Sequence, residues 1–171
     1  LTRPPPLFES YNVAPTTAVP VVREREGERT CEFIRWGLVP FWAKGIPPKL
    51  STINARVETI ATAATYRTPW KRGQRCILPA TGFYEWQVRE SGKQPWYISP
   101  SNAGGSEPLF AFAGLLEAWR APASPPACEW LLTCCIITNE ANALMAPIHD
   151  RMPVILAREQ WDAWLSREQQ D

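Results

Sequence analysis

Apolar residues along this chain fall into short runs broken by proline and glycine, not into long stripes at helical spacing. The densest run is RCILPATGFYEW, residues 75–86, interrupted by Pro79-Ala80-Thr81-Gly82. It predicts strand, tight turn, strand. Shorter runs predict strands over residues 18–23, 31–39 and 94–99, with 24–29 as a charged hairpin tip and Pro40 ending the second. LFAFAGLLEAW (109–119) and WLLTCCIIT (130–138) are nearly all apolar and read as buried central strands. Residues 57–70 predict a short helix ending near Pro69, and a further short strand is expected over 154–156. Ala141, Leu144, Met145 and Ile148 recur at 3–4 spacing, so 139–148 reads as a short amphipathic helix or turn. Residues 158–170 read as a closing helix with Trp161, Trp164 and Leu165 on its core side. Many short strands and few helices predict an α+β fold: a curved, largely antiparallel β-sheet, barrel-like, with a few short flanking helices. Strand–helix alternation is absent, which argues against a parallel α/β sheet.

Composition sharpens this picture in three ways. A chain of 171 residues suits one domain with a proper core, and 18 prolines favour short elements joined by shaped loops. The formal net charge of +1 excludes a global field that would draw in nucleic acid or membrane. Locally, residues 54–76 hold five basic side chains (Arg56, Arg67, Lys71, Arg72, Arg75) against one acid, Glu58. That run is either a solvated face or the wall of a phosphate-binding groove. The five cysteines show no C-x-x-C spacing, and Cys76, Cys134 and Cys135 lie in apolar runs, as small core hydrophobes do. With a single histidine as well, neither a structural zinc nor any other metal is expected. The cysteine usage and the lack of an 18-residue apolar span predict an intracellular protein with no membrane partner.

Three places carry candidate chemistry. Glu85 is a lone carboxylate among aromatics, and strand alternation points it away from Tyr84 and Trp86. It is either a solvated strand position or a general acid/base whose pKa partial desolvation raises. His149, the only histidine, opens His149-Asp150-Arg151-Met152-Pro153, a poor way to fill a core. Paired with Glu85 it would form a carboxylate–imidazole acid/base couple. Asn54 and Arg56 share a face if their segment is extended, which suits an amide and a guanidinium turned toward one ligand, or a turn-capping Asn beside a surface Arg. Phe41-Trp42, beside a proline and before a loop, are lids on the core or an exposed stacking surface for an unpaired base. The residues alone reach an acid/base site beside a basic, aromatic-edged groove, and name no substrate.

YNVAPT, RWGLVPFWAK, NARVET, RCILPATGFYEW, KQPWYI, FAFAGLLEAW and IHDRMPVIL, in this order and spacing, resemble the SRAP family (SOS-response-associated peptidase domain). The likeness runs from about Tyr11 to Leu165. It implies a sensor of abasic sites in single-stranded DNA, acting in the DNA damage response without metal or organic cofactor; a monomer is expected. In that family a cysteine at the mature N-terminus reacts with the ring-opened C1′ aldehyde: its amine condenses and its thiol closes a thiazolidine crosslink. By resemblance Glu85 assists sugar-ring opening and proton transfer, His149 is its acid/base partner, and Asn54 orients the amine. Arg56 and Arg151 hold phosphates, and Trp42 with Phe41 stacks at the gap. The family begins Met-Cys-Gly-Arg, whereas this chain begins Leu1-Thr2-Arg3. Residues 1–171 are therefore expected to form one domain lacking the family's N-terminal Cys segment and C-terminal segment, binding DNA without crosslinking it. A non-covalent single-strand or junction-binding module and a thiol autopeptidase are the competing expectations.

Overall fold

The computed structural model describes residues 9–45, 52–101, 109–121 and 129–166. Strands β1 (Ala18–Arg25) and β2 (Glu28–Trp36) form an antiparallel hairpin closed by Glu26-Gly27. Both turn residues have positive φ, 54° and 82°, the backbone that two-residue hairpins favour because its twist matches that of the strands. β1 also pairs with β4 (Arg75–Ala80), β4 with β7 (Phe110–Trp119), and β7 with β8 (Leu131–Glu140), all antiparallel. A parallel pairing of Arg35-Trp36 with Thr133-Cys134 brings β8 back to β2 and closes a five-strand barrel. The far end of β8 takes on β3 (Asn54–Arg56) in parallel and β9 (Arg151–Pro153) antiparallel.

The continuous apolar character of β7 and β8 has a plain cause: both faces of these strands are covered. Phe112, Leu116 and Cys134 point into a cluster with Val19, Val21, Ile34, Cys76 and Leu78. Their neighbours Ala113, Leu115, Cys135 and Ile137 pack outward with Leu38, Ala55 and Ile60, roofed in part by Tyr66, Trp70 and Trp164. The strand positions thus alternate between two cores. At Gly114 the barrel leaves no room for a side chain: a Cβ would sit 2.8 Å from the Cys135 carbonyl oxygen and 2.9 Å from Cys76 Sγ, and would collide with Leu78 Cδ1. Gly114→Ala is therefore expected to lower stability by about 3 kcal/mol, the upper end for overpacking, because a backbone oxygen cannot step aside. Urea unfolding midpoints of the two chains check this.

The 75–86 run departs from the hairpin expectation. β4 already has β1 on one edge and β7 on the other, so the barrel offers the next strand no free edge. β5 (Phe83–Arg89) leaves the barrel instead and pairs with β6 (Gly92–Ile98) as a separate two-stranded ribbon. Other local expectations also shift. Of residues 57–70 only the end is helical, α1 (Arg67–Lys71). The preceding residues form hydrogen-bonded turns in which Thr62 Oγ1 donates to Thr59 O, the local competition that threonine offers a helix.

Asn139 and Glu140 finish β8, and the residues after Ala141 form turns around Asn142, whose Oδ1 accepts from the amides of Leu144 and Met145. Met145 is buried but Leu144 is 77 % exposed, so a single turn gives no apolar stripe. The strand expected over 154–156 does not form: β9 covers Arg151–Pro153 and stops there. Residues beyond it cross from β8 to β7, where Ile155 makes one bridge to Phe112. The closing helix is a 3₁₀ turn (Arg158–Gln160) followed by α2 (Trp161–Leu165), with residues past 166 outside the described set. Its Trp161, Trp164 and Leu165 are core, packed near Ile77 and Ala111 as expected. The structure confirms the barrel-like, mainly antiparallel sheet with short flanking helices. Its parallel pairs are β2–β8 and β3–β8.

Candidate functional site

Burial alternates along β5 as a one-sided ribbon requires. Phe83, Glu85 and Gln87 face inward and are half-buried, while Tyr84, Trp86 and Val88 are exposed. Glu85 thus stands on the side of the ribbon that meets the turn carrying His149. That turn is held by hydrogen bonds from the Ile148 and His149 amides to Met145 O, and Met145 is itself buried. The two side chains meet with His149 Nδ1 4.0 Å from Glu85 Oε2, at 39 % and 22 % exposure.

The imidazole is oriented by its own loop. Nδ1 lies 3.1 Å from the Arg151 amide nitrogen, whose N–H it accepts when neutral. When protonated, its N–H has the Arg151 carbonyl at 3.2 Å, Asp150 Oδ1 at 3.3 Å and the Glu85 carboxylate as acceptors. The other ring nitrogen, Nε2, has no hydrogen-bond partner among the described residues. Partial burial pushes the Glu85 pKa above the ordinary carboxylate value. The neighbouring His149 and the Trp86 amide pull it partly back, and Asp150 adds to the rise. The arrangement sets a carboxylate beside an imidazole whose Nδ1 is anchored by its own loop.

Beside it, Arg56, Glu140, Ala141, Ala146, Asp150 and Arg151 line an open concavity of about 430 Å³. Asp150 belongs to both places, touching His149 and lining the concavity. Asn54 and Arg56 lie on the outward face of β3 with Ala55 buried between them, so they share a face as the sequence suggested. Tyr66 OH donates to Asn54 O at 2.9 Å and ties that strand to the turns before α1. Arg56 is exposed and makes no ion pair among the described residues.

Arg151 is different. Its two terminal nitrogens grip the Glu58 carboxylate at 2.7 and 2.9 Å, and one also donates to Thr138 O at 2.8 Å. This fork holds Glu58 below the ordinary carboxylate range and leaves Arg151 less open to an incoming anion than Arg56. Arg75 does not belong to a basic groove: its guanidinium sits over the rings of Trp70 and Trp164, 5.1 and 4.9 Å from their centroids. Phe41 and Trp42 are each 53 % exposed, so both are available for stacking. Trp42 reaches Ala64 O with its indole N–H. No hydrogen bond, ion pair or ring contact among the described residues joins this pair to Glu85 or His149.

Two groups escaped the sequence reading. One is the outer ribbon face, where Tyr84 and Tyr97 pack at 5.1 Å between centroids with exposed Trp86 beside them. Strand alternation around Glu85 was the available signal. The other is Glu58, whose pairing with Arg151 spans the chain and leaves no local trace.

A closed small barrel carries an attached ribbon whose Glu85 lies 4.0 Å from His149 on a neighbouring turn, next to an arginine-bearing concavity open to solvent. The chain belongs to the SOS response associated peptidase (SRAP) family, whose model matches residues 2–171. It is 41 % identical over 163 residues to the abasic site processing protein YoqW of Bacillus subtilis, covering 95 % of this chain and 69 % of YoqW. To YoaM of the same organism, also an abasic site processing protein, it is 43 % identical over 158 residues, 92 % of this chain and 66 % of YoaM. The abasic site processing protein HMCES of Gallus gallus is 36 % identical over 181 residues, with 89 % of this chain spanning 53 % of the avian protein. A crystal structure from Bordetella bronchiseptica superposes with a TM-score of 0.77 at 28 % identity, covering 90 % of this chain and 75 % of that one. Another, from Bacteroides thetaiotaomicron, gives 0.75 at 30 %, covering 89 % and 64 %. No helix among the described residues is long and apolar enough to cross a membrane.

Proposed function

We propose that this protein recognises abasic sites in single-stranded DNA and promotes their covalent capture. The observation that carries the reading is the Glu85–His149 pair, 4.0 Å apart, next to the concavity that Arg56 lines. An abasic deoxyribose is a cyclic hemiacetal. Opening it breaks the C1′–O4′ bond, takes a proton from the C1′ hydroxyl and delivers one to O4′. A partly desolvated carboxylate beside an imidazole with an open ring nitrogen suits that exchange. The exposed aldehyde then condenses with the α-amine of an N-terminal cysteine, releasing water, and the thiol adds to the resulting imine to close a thiazolidine. That cysteine lies outside residues 1–171 and is proposed on the strength of the family relationship. Asn54 orients the amine, and Arg56 holds a flanking phosphate, with Arg151 joining it when Glu58 yields the fork. Phe41 and Trp42 stack on the bases beside the gap, which sets affinity without reading sequence.

The test uses the complete gene product with its native start, mixed with a single-stranded oligonucleotide carrying one abasic site. A band that is shifted on a denaturing gel, and lost when the N-terminal cysteine is replaced by alanine, is the expected result. Retention under native conditions with no denaturation-resistant band would overturn the covalent reading and leave a binding module.

A further inference from the structure

We infer that Gln87 is a positioning residue that sets the contact between Glu85 and His149, and this inference rests on the acid/base role proposed for that pair. The ribbon bearing Glu85 makes no β-bridge to the barrel, so strand pairing does not fix its distance from the turn that bears His149. Gln87 spans that gap. It lies two residues from Glu85 on the same face of β5, and its Nε2 donates to Pro147 O at 2.7 Å. Pro147 is two residues before His149. One amide therefore ties the ribbon to the turn beside the place where the carboxylate meets the imidazole.

The orientation of this amide is determined by its partners. Gln87 Oε1 accepts from Arg89 Nε and a terminal Arg89 nitrogen at 2.9 and 2.8 Å, and from Trp96 Nε1 at 3.2 Å. A flipped amide would set oxygen against the Pro147 carbonyl and NH₂ against those donors. Trp96 is the cross-strand partner of Glu85, and the Arg89 guanidinium lies 6.0 Å from its ring centroid. Arg89, Trp96 and Gln87 thus brace one another, and Gln87 passes that bracing to the turn.

The test exploits His149 being the chain's only histidine, so its ring resonances are unique. The charged groups near the ring are Glu85 from β5 and Asp150 from its own loop, while the Arg151 guanidinium is occupied by Glu58. The His149 ring resonances are followed by NMR in six chains: wild type, Glu85→Gln, Gln87→Met, Gln87→Glu, and the two double variants that also carry Glu85→Gln. Glu85→Gln is expected to displace those resonances. In the Gln87→Met background the same replacement is expected to displace them by less than half as much, because the two groups no longer keep their separation. Gln87→Glu, which keeps the Arg89 and Trp96 contacts but sets an oxygen against Pro147 O, is expected to weaken the coupling likewise. An unchanged Glu85 effect in both backgrounds, with the chains folded by amide spectra, would overturn the inference.

This arm needs no DNA, so it stands or falls separately from the proposed reaction. With abasic DNA, Gln87→Met is expected to slow adduct formation about tenfold, as a small misplacement of a reacting group does. It is expected to add nothing further in the Glu85→Gln background. Additive losses there would also count against a positioning role.

Discussion

Glu85→Gln is expected to slow adduct formation about 10²- to 10⁴-fold, the range for a positioned acid/base group, while leaving retention on intact single-stranded DNA unchanged. The amide keeps the shape of the side chain and removes only its capacity to exchange a proton. A second consequence concerns stability. Burial raises the Glu85 pKa in the folded chain, so between the ordinary carboxylate pKa and that raised value the folded state holds more protons than the unfolded one. Stability contributed by this group therefore falls as pH rises through that window and stays lower above it. Glu85→Gln has no such loss. It is expected to be more stable than wild type at neutral pH and to differ little below the ordinary carboxylate range. Urea midpoints at about pH 3 and pH 7, taken beside single-turnover crosslinking rates, separate the outcomes. Loss of DNA retention and of stability together would mean that Glu85 is structural.

The second large effect is expected at a residue that touches no substrate. Gly82 stands where the chain leaves the barrel for the ribbon, and a Cβ there would lie 2.5 Å from Tyr97 Oη and 2.6 Å from Ile98 O. The tyrosine ring can swing, but the backbone oxygen belongs to the opposite ribbon strand. Gly82→Ala must therefore push the ribbon from its seat by roughly an ångström, three residues before Glu85. A displacement of that size costs about 10²-fold in a reaction that depends on near-attack geometry. Because the collision falls outside the barrel, unfolding is expected to shift by only about 1–3 kcal/mol. Crosslinking rates and thermal unfolding of Gly82→Ala, measured together, decide the matter. A rate within twofold of wild type would show that the angle of the ribbon is irrelevant to the chemistry.

The candidate site was legible in the sequence to different depths. Glu85 and His149 stood out because a lone carboxylate among aromatics and a lone histidine in a charged loop are poor core fillers, and the fold brings them to 4.0 Å. Asn54 and Arg56 followed from strand periodicity, since residues two apart share a face. Arg151 was legible as a cation but not as an engaged one, because Glu58, which occupies its fork, lies far away in the chain. Arg75 looked like part of a basic groove, but two adjoining tryptophans, one of them from the closing helix, hold its guanidinium over their rings.

Short-range physics let the sequence by itself determine the strands of the barrel and ribbon, that helices are short, and which side of the 83–89 segment carries the carboxylate. Prolines, glycines and two-residue alternation act within a few residues and leave their mark locally. Only the tertiary structure decided that β4 and β5 do not pair. That outcome depends on β1 and β7 having already occupied both edges of β4, a fact recorded nowhere near residue 82. It likewise decided that the ribbon carrying Glu85 meets the turn carrying His149, because that meeting depends on how a closed barrel aims the strand it cannot accommodate.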